Sequence, residues 1–139
     1  MRTLLAALAA AVVLSGSPAS AQTEAEMRDR LCAPFQREVR TPAGTYVDCI
    51  TGLHAIEIDW TEKWAEAIGQ ALHYAAETGL YPGIILICRQ SEGACLAHAL
   101  RLESTLAYWG IAMTVWYCGI DAAKLSRCEV RKLMALASR

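Results

Sequence analysis

Hydrophobic and polar positions change period several times along this chain, and each change marks an element. Residues 4–14 are continuously apolar behind Arg2 and ahead of Ala19-Ser20-Ala21, the layout of a cleaved secretory leader. The run is too short to span a bilayer, which takes about 20 residues. Cleavage is expected after Ala21, which leaves residues 22–139 as a single compact domain. Met27, Leu31 and Phe35 recur at four-residue spacing and predict a helix over 22–36, with Pro34 near its end. Residues 38–40 read as a short strand and Pro42-Ala43-Gly44 as a turn. Residues 45–50 and 54–59 read as two more strands, punctuated by Thr51-Gly52.

The period then lengthens. From 61 to 78, Trp64, Ala65, Ile68, Ala71, Leu72 and Ala75 fall on one helical face, with Gly79 suited to the C-terminal cap. Residues 83–88 are uniformly apolar, as a strand buried on both faces should be. A helix over 93–109 carries Leu96, Leu100 and Leu106, a strand follows over 111–117, and residues 121–138 read as a terminal helix of mixed charge. The expected fold class is α/β. An antiparallel three-strand meander is continued by parallel strand–helix–strand units with right-handed crossovers, giving a mixed sheet flanked by helices.

Composition narrows the setting more than the function. The chain has 13 basic and 14 acidic residues; without Arg2 the basic count is 12, and the mature net charge is −2. A tight nucleic-acid binder usually shows a basic excess, so any such contact has to be locally basic. The six cysteines, all beyond the leader, point to disulfides in an oxidising compartment, the periplasm or the exterior. No two are spaced C-x-x-C, which disfavours a thioredoxin-like redox motif or a zinc knuckle. Strand alternation turns Cys49 away from Asp48, toward where the first helix could pack, so Cys32 and Cys49 are a candidate pair. The other four cysteines stay unassigned.

The candidate chemistry lies between Asp48 and Tyr74. Asp48 interrupts a strand-like stretch, where a carboxylate is either a solvated edge residue or a group with a partner. In Ile56-Glu57-Ile58-Asp59, alternation sends the isoleucines to one face and both carboxylates to the other. If Asp48 faces the same way, three carboxylates converge and repel unless a cation sits among them. Oxygen ligands favour Mg²⁺, Mn²⁺ or Ca²⁺ over zinc.

Asp48, then Glu57, then a helix with Gln70-x-x-x-Tyr74, resembles the PD-(D/E)XK (restriction-endonuclease-like) nuclease superfamily, and its RecB-type branch in particular. That family's core runs helix, three strands, helix, strand, and the resemblance covers roughly residues 22–88. It implies a restriction-endonuclease-like core and Mg²⁺- or Mn²⁺-dependent hydrolysis of phosphodiesters in DNA or RNA. By the resemblance Asp48 and Glu57 would bind the metal and Gln70 and Tyr74 would orient substrate or catalytic groups; strand alternation adds Asp59 as a third metal-site carboxylate. The family's (D/E)-x-K places Lys where this chain has Asp59. Members can draw that Lys from the following helix, and Lys63 shares a helical face with Gln70 and Tyr74.

Blander readings stand beside these. Asp59 with Glu62 fits a helix capping box, Lys63 a solvated surface residue, and Gln70 and Tyr74 ordinary packing partners. His54, His73 and His98 lack ligand-like spacing, and Trp60, Trp64, Trp109 and Trp116 suit core anchors, although Trp60 adjoins the carboxylates. Lys124, Arg127, Arg131 and Lys132 alternate with acids as on a solvated helix. Besides a nuclease, the pattern fits a nuclease-like fold without catalysis that serves as an exported binding protein. It also fits a disulfide-stapled α/β domain whose carboxylates are incidental.

Overall fold

A computed structural model describes residues 21–134. The predicted leader up to Ser20 and the last five residues, 135–139, lie outside the described residues. Helix α1 (Glu24–Leu31) opens on a capping box in which the Thr23 hydroxyl accepts from the Glu26 amide and the Glu26 carboxylate accepts from the Thr23 amide. It is shorter than the spacing of Met27, Leu31 and Phe35 predicts. Cys32 is bonded to Cys49 and the chain turns through Pro34, with the Phe35 amide donating to the Cys32 carbonyl.

Strands β1 (Gln36–Arg40), β2 (Tyr46–Ile50) and β3 (His54–Trp60) form the antiparallel meander. A 3-10 turn (Thr61–Lys63) leads into α2 (Trp64–Thr78), whose cap Gly79 has the positive φ that glycine tolerates best. Then come β4 (Tyr81–Cys88), α3 (Glu92–Trp109), β5 (Met113–Gly119), a second 3-10 turn (Leu125–Arg127) and β6 (Glu129–Leu133). The strands lie side by side in chain order. β3, β4 and β5 are parallel, and antiparallel pairs flank them on both sides. The α/β class and the mixed sheet are as the pattern predicts.

Strand alternation divides the core. On one face Ile56, Ile58, Trp60, Ile85 and Ile87 pack against Met27 and Leu31 of α1 and against Leu125. On the other, Ile84, Leu86 and Val115 meet Ala67 and Ala71 of α2 and Leu102 and Leu106 of α3. Gly83 allows the first face to close, since a Cβ there would stand 3.0 Å from the Trp116 ring and 3.1 Å from Ile56.

Three expectations need correcting. Residues 121–138 do not form a terminal helix: after the turn at Gly119, the Cys118–Cys128 bond brings the chain back beside β5, where Tyr117↔Glu129 through Met113↔Leu133 pair antiparallel. Helix-forming composition yields there to a covalent tether and an open sheet edge, and Lys124, Arg127, Arg131 and Lys132 sit on loop and strand. Leu96 and Leu100 are not core; they are 56% and 57% exposed, and α3 buries Cys95, Leu102 and Leu106, one step round the helix. Trp109 is exposed rather than a core anchor. On α2 the expected face does pack on the sheet, with Ala71 buried beside Ala67 and Trp64, Ile68 and Leu72 against the same cluster, while Ala65 is exposed.

Candidate active site

The meander places two carboxylates against each other. β2 and β3 are paired at Cys49↔Ile56 and Ile50↔Ala55. Farther along, the Asp48 side chain takes up the ladder, its Oδ2 accepting the Ile58 amide at 3.0 Å. Alternation breaks at the same point. Cys49 packs with the α1 face, whereas Val47 and Ile50 both pack with Ala55 and Tyr74 on the α2 face. The Cys49↔Ile56 register sets Asp48 opposite Glu57 on the α2 face, close enough for each carboxyl to act on the other.

Glu57 is only 4% exposed and stands in register with Ile84, so apolar surroundings strip its hydration. Burial first, then the charge of Asp48 and a proton shared with it, push Glu57 up to about 10. Burial raises Asp48 as well, opposed by the bond from the Ile58 amide. Burial, followed by the charges of Glu57 and Asp48, disfavours ionisation of the Tyr74 hydroxyl. Even so, Glu57 Oε2 is buried without a partner, and so is Oε1 of Gln70, one turn before Tyr74 on α2.

Asp59 is the next residue on the same strand face and is 2% exposed. Its Oδ1 accepts the Trp60 amide at 2.8 Å and lies 3.5 Å from Nζ of Lys63. Burial lifts it to about 7, with the Trp60 amide pulling the other way. It caps no helix: Trp60 and Lys63 hold the two cap positions, and neither has a side-chain cap bond. Lys63 Nζ also lies 3.8 Å from Glu24 Oε2 in the first turn of α1. Asp48, Glu57 and Tyr74 thus form one group, and Asp59, Lys63 and Glu24 form a second beside it. Trp60 belongs to neither; it faces α1 and carries the Arg89 guanidinium over its ring.

Among the described residues no three His, Cys, Asp or Glu side chains form a ready-made metal cage. Mg²⁺ does not need one, since it keeps several waters and takes one or two carboxylates plus substrate oxygens. The unpartnered Oε2 of the buried Glu57, next to Asp48, fits a hard cation of this kind.

Glu24 is the residue that sequence reasoning missed. Its place in a capped first turn was legible, but nothing local says that this turn stands beside the end of β3. The histidines stay apart: His54 contacts Thr114 and the Trp116 ring, His73 contacts Thr45, and His98 contacts Arg101. A separate groove of about 500 Å³ lies between α3 and the β5–β6 end of the sheet, lined by Leu86, Leu96, Leu100 and Tyr117. Its Glu92, Glu103 and Glu129, against Arg131 alone, would repel a phosphodiester. Comparison of the chain with family models, with curated proteins and with solved structures finds no match.

Proposed function

We propose that this chain is an exported, divalent-cation-dependent nuclease with a restriction-endonuclease-like core. Asp48 and Glu57 would hold Mg²⁺ or Mn²⁺, and nucleic acid would be the substrate. The observation that carries the reading is the Asp48–Glu57 pair, fixed by the Ile58 amide and closed in around an unpartnered carboxyl oxygen. A carboxylate placed by backbone is pre-organised, so little free energy goes into ordering it on binding. The order α1, β1–β2–β3, α2, β4 is also the order the resemblance implies.

When bound, the cation would polarise the scissile phosphate and acidify a water. Lys63, 45% exposed and anchored by Asp59, stands where a mobile ammonium can offset charge developing on the phosphate. Tyr74 and Gln70, one turn apart on α2, would orient substrate or the neighbouring catalytic groups.

A plasmid-nicking assay with Mn²⁺ titration by calorimetry tests the assignment. Asp48→Ala and Glu57→Ala should each lose Mg²⁺- or Mn²⁺-dependent cleavage by orders of magnitude while melting as folded domains. Undiminished cleavage in either variant refutes it. A second reading is favoured by Asp59 standing where the family has Lys and by the net charge of −2: an exported binding protein on a nuclease-like fold. Mn²⁺ binding without cleavage would select that reading.

A further inference from the structure

Helix α1 is tied to the candidate site at both ends. At its first turn Glu24 Oε2 reaches Lys63 Nζ, which in turn reaches Asp59. Past its last turn Cys32 is bonded to Cys49, the residue next to Asp48. Between the two ties the helix buries only Met27 and Leu31. Eight residues are too few to hold a helix in water without outside support. The Lys63 and Glu24 side chains are 45% and 38% exposed, so their ion pair adds little to stability. What the pair determines is the position of the Lys63 ammonium.

We propose that Glu24 is a positioning residue for Lys63, and that the Cys32–Cys49 bond keeps it in reach, so the site is complete only in the oxidised chain. The proposal rests on reading Asp48 and Glu57 as the metal-holding pair. Forming the bond removes two electrons and two protons from two thiols, and a disulfide or quinone oxidant met after export accepts them. A dithiol reductant returns them and ends as its own cyclic disulfide. In a reducing compartment both thiols persist, and α1 keeps only its Met27 and Leu31 packing and the surface contacts of Arg28 with Glu38, Arg37 with the Asp29 carbonyl and Arg30 with the Ile120 carbonyl. Without the covalent tie Glu24 is no longer held in reach of Lys63. The chain therefore passes through the compartment where it is made with its hydrolytic site unassembled.

The test follows the ¹H–¹⁵N signal of the Lys63 ammonium, assigned with Lys63→Arg, in the mature oxidised chain. A lysine ammonium held by carboxylates exchanges slowly enough with water to be seen. The signal should be present in the wild type, in Glu24→Asp and in a Cys88→Ser/Cys95→Ser control. It should vanish in Glu24→Gln and in Cys32→Ser/Cys49→Ser. The two variants that lose it should lose kcat by about tenfold to a hundredfold through misplacement of one group, with KM within about twofold. The melting temperature of Glu24→Gln should not move.

An unchanged ammonium signal in Glu24→Gln overturns the role of Glu24. Full activity in Cys32→Ser/Cys49→Ser overturns the gating, and so does failure of that variant to fold, which would make the bond a folding requirement only. A wild-type chain that cleaves no nucleic acid, or whose cleavage needs no divalent ion, sinks the metal-dependent nuclease reading instead, and the ammonium signal still decides the positioning.

Discussion

Glu57 is the residue on which the pH behaviour of this protein turns. Its ordinary value is 4.5 and its folded value about 10, so between those limits the folded chain binds a proton that the unfolded chain releases. Stability from this group is fully present below pH 4.5 and is lost as the pH rises toward 10. Asp59 acts in the same direction between 3.8 and about 7. In buffer with EDTA the melting temperature should therefore fall from pH 5 to pH 9, and Glu57→Gln should flatten the slope. A wild-type profile that is already flat would mean that Glu57 is ionised in the folded state. Sequence alternation correctly put Glu57 and Asp59 on one face. It could not say that Asp48 would join Glu57, because that depends on the register between β2 and β3, which pairs Cys49 with Ile56.

At the scale of elements, the disulfides decide what local propensity leaves open. Residues 121–133 are rich in helix formers, yet Cys128 is held to Cys118 across a loop of 10 residues, and the chain that follows closes the sheet as β6. Replacing both cysteines with serine should cost about 2–4 kcal/mol in denaturant unfolding. Amide exchange should rise along β6 before it rises along β4. Uniform loosening of the sheet would mean that β6 is held by packing instead. On α3, Leu106→Ala should destabilise by about 2–5 kcal/mol, whereas Leu96→Ala should change little, because one side chain is buried and the other exposed. The heptad-like spacing of Cys95, Leu102 and Leu106 was present in the sequence, but Leu96, Leu100 and Leu106 offered an equally apolar stripe. Only contact with the sheet chooses between them.

For the whole molecule, the proposed cation site at the Asp48–Glu57 pair would couple folding to cation binding. A cation that binds only the folded chain stabilises it by RT ln(1 + [L]/Kd), about 2.7 kcal/mol at a hundredfold excess over Kd. Mn²⁺ should raise the melting temperature at pH 8 by several degrees and release protons as it binds, since Glu57 has to give up its own. The increase should shrink at pH 5 and disappear in Asp48→Ala. An equal increase in that variant would place the cation elsewhere. The three disulfides and the lack of any membrane-crossing helix among the described residues fit the exported setting that the leader predicts.

The sequence by itself determined the α/β class, the meander and the parallel units, because period-two and period-3.6 patterns are local, and it offered Cys32–Cys49 as a candidate pair that the structure forms. It also marked Asp48, Glu57, Gln70 and Tyr74 as chemically unusual. Tertiary structure decided the rest: which stripe of α3 is buried, the return of the chain as β6, the meeting of Asp48 with Glu57, and the arrival of Glu24 beside Lys63. Each of these joins residues far apart in the chain, where the outcome depends on burial and covalent closure rather than on local preference.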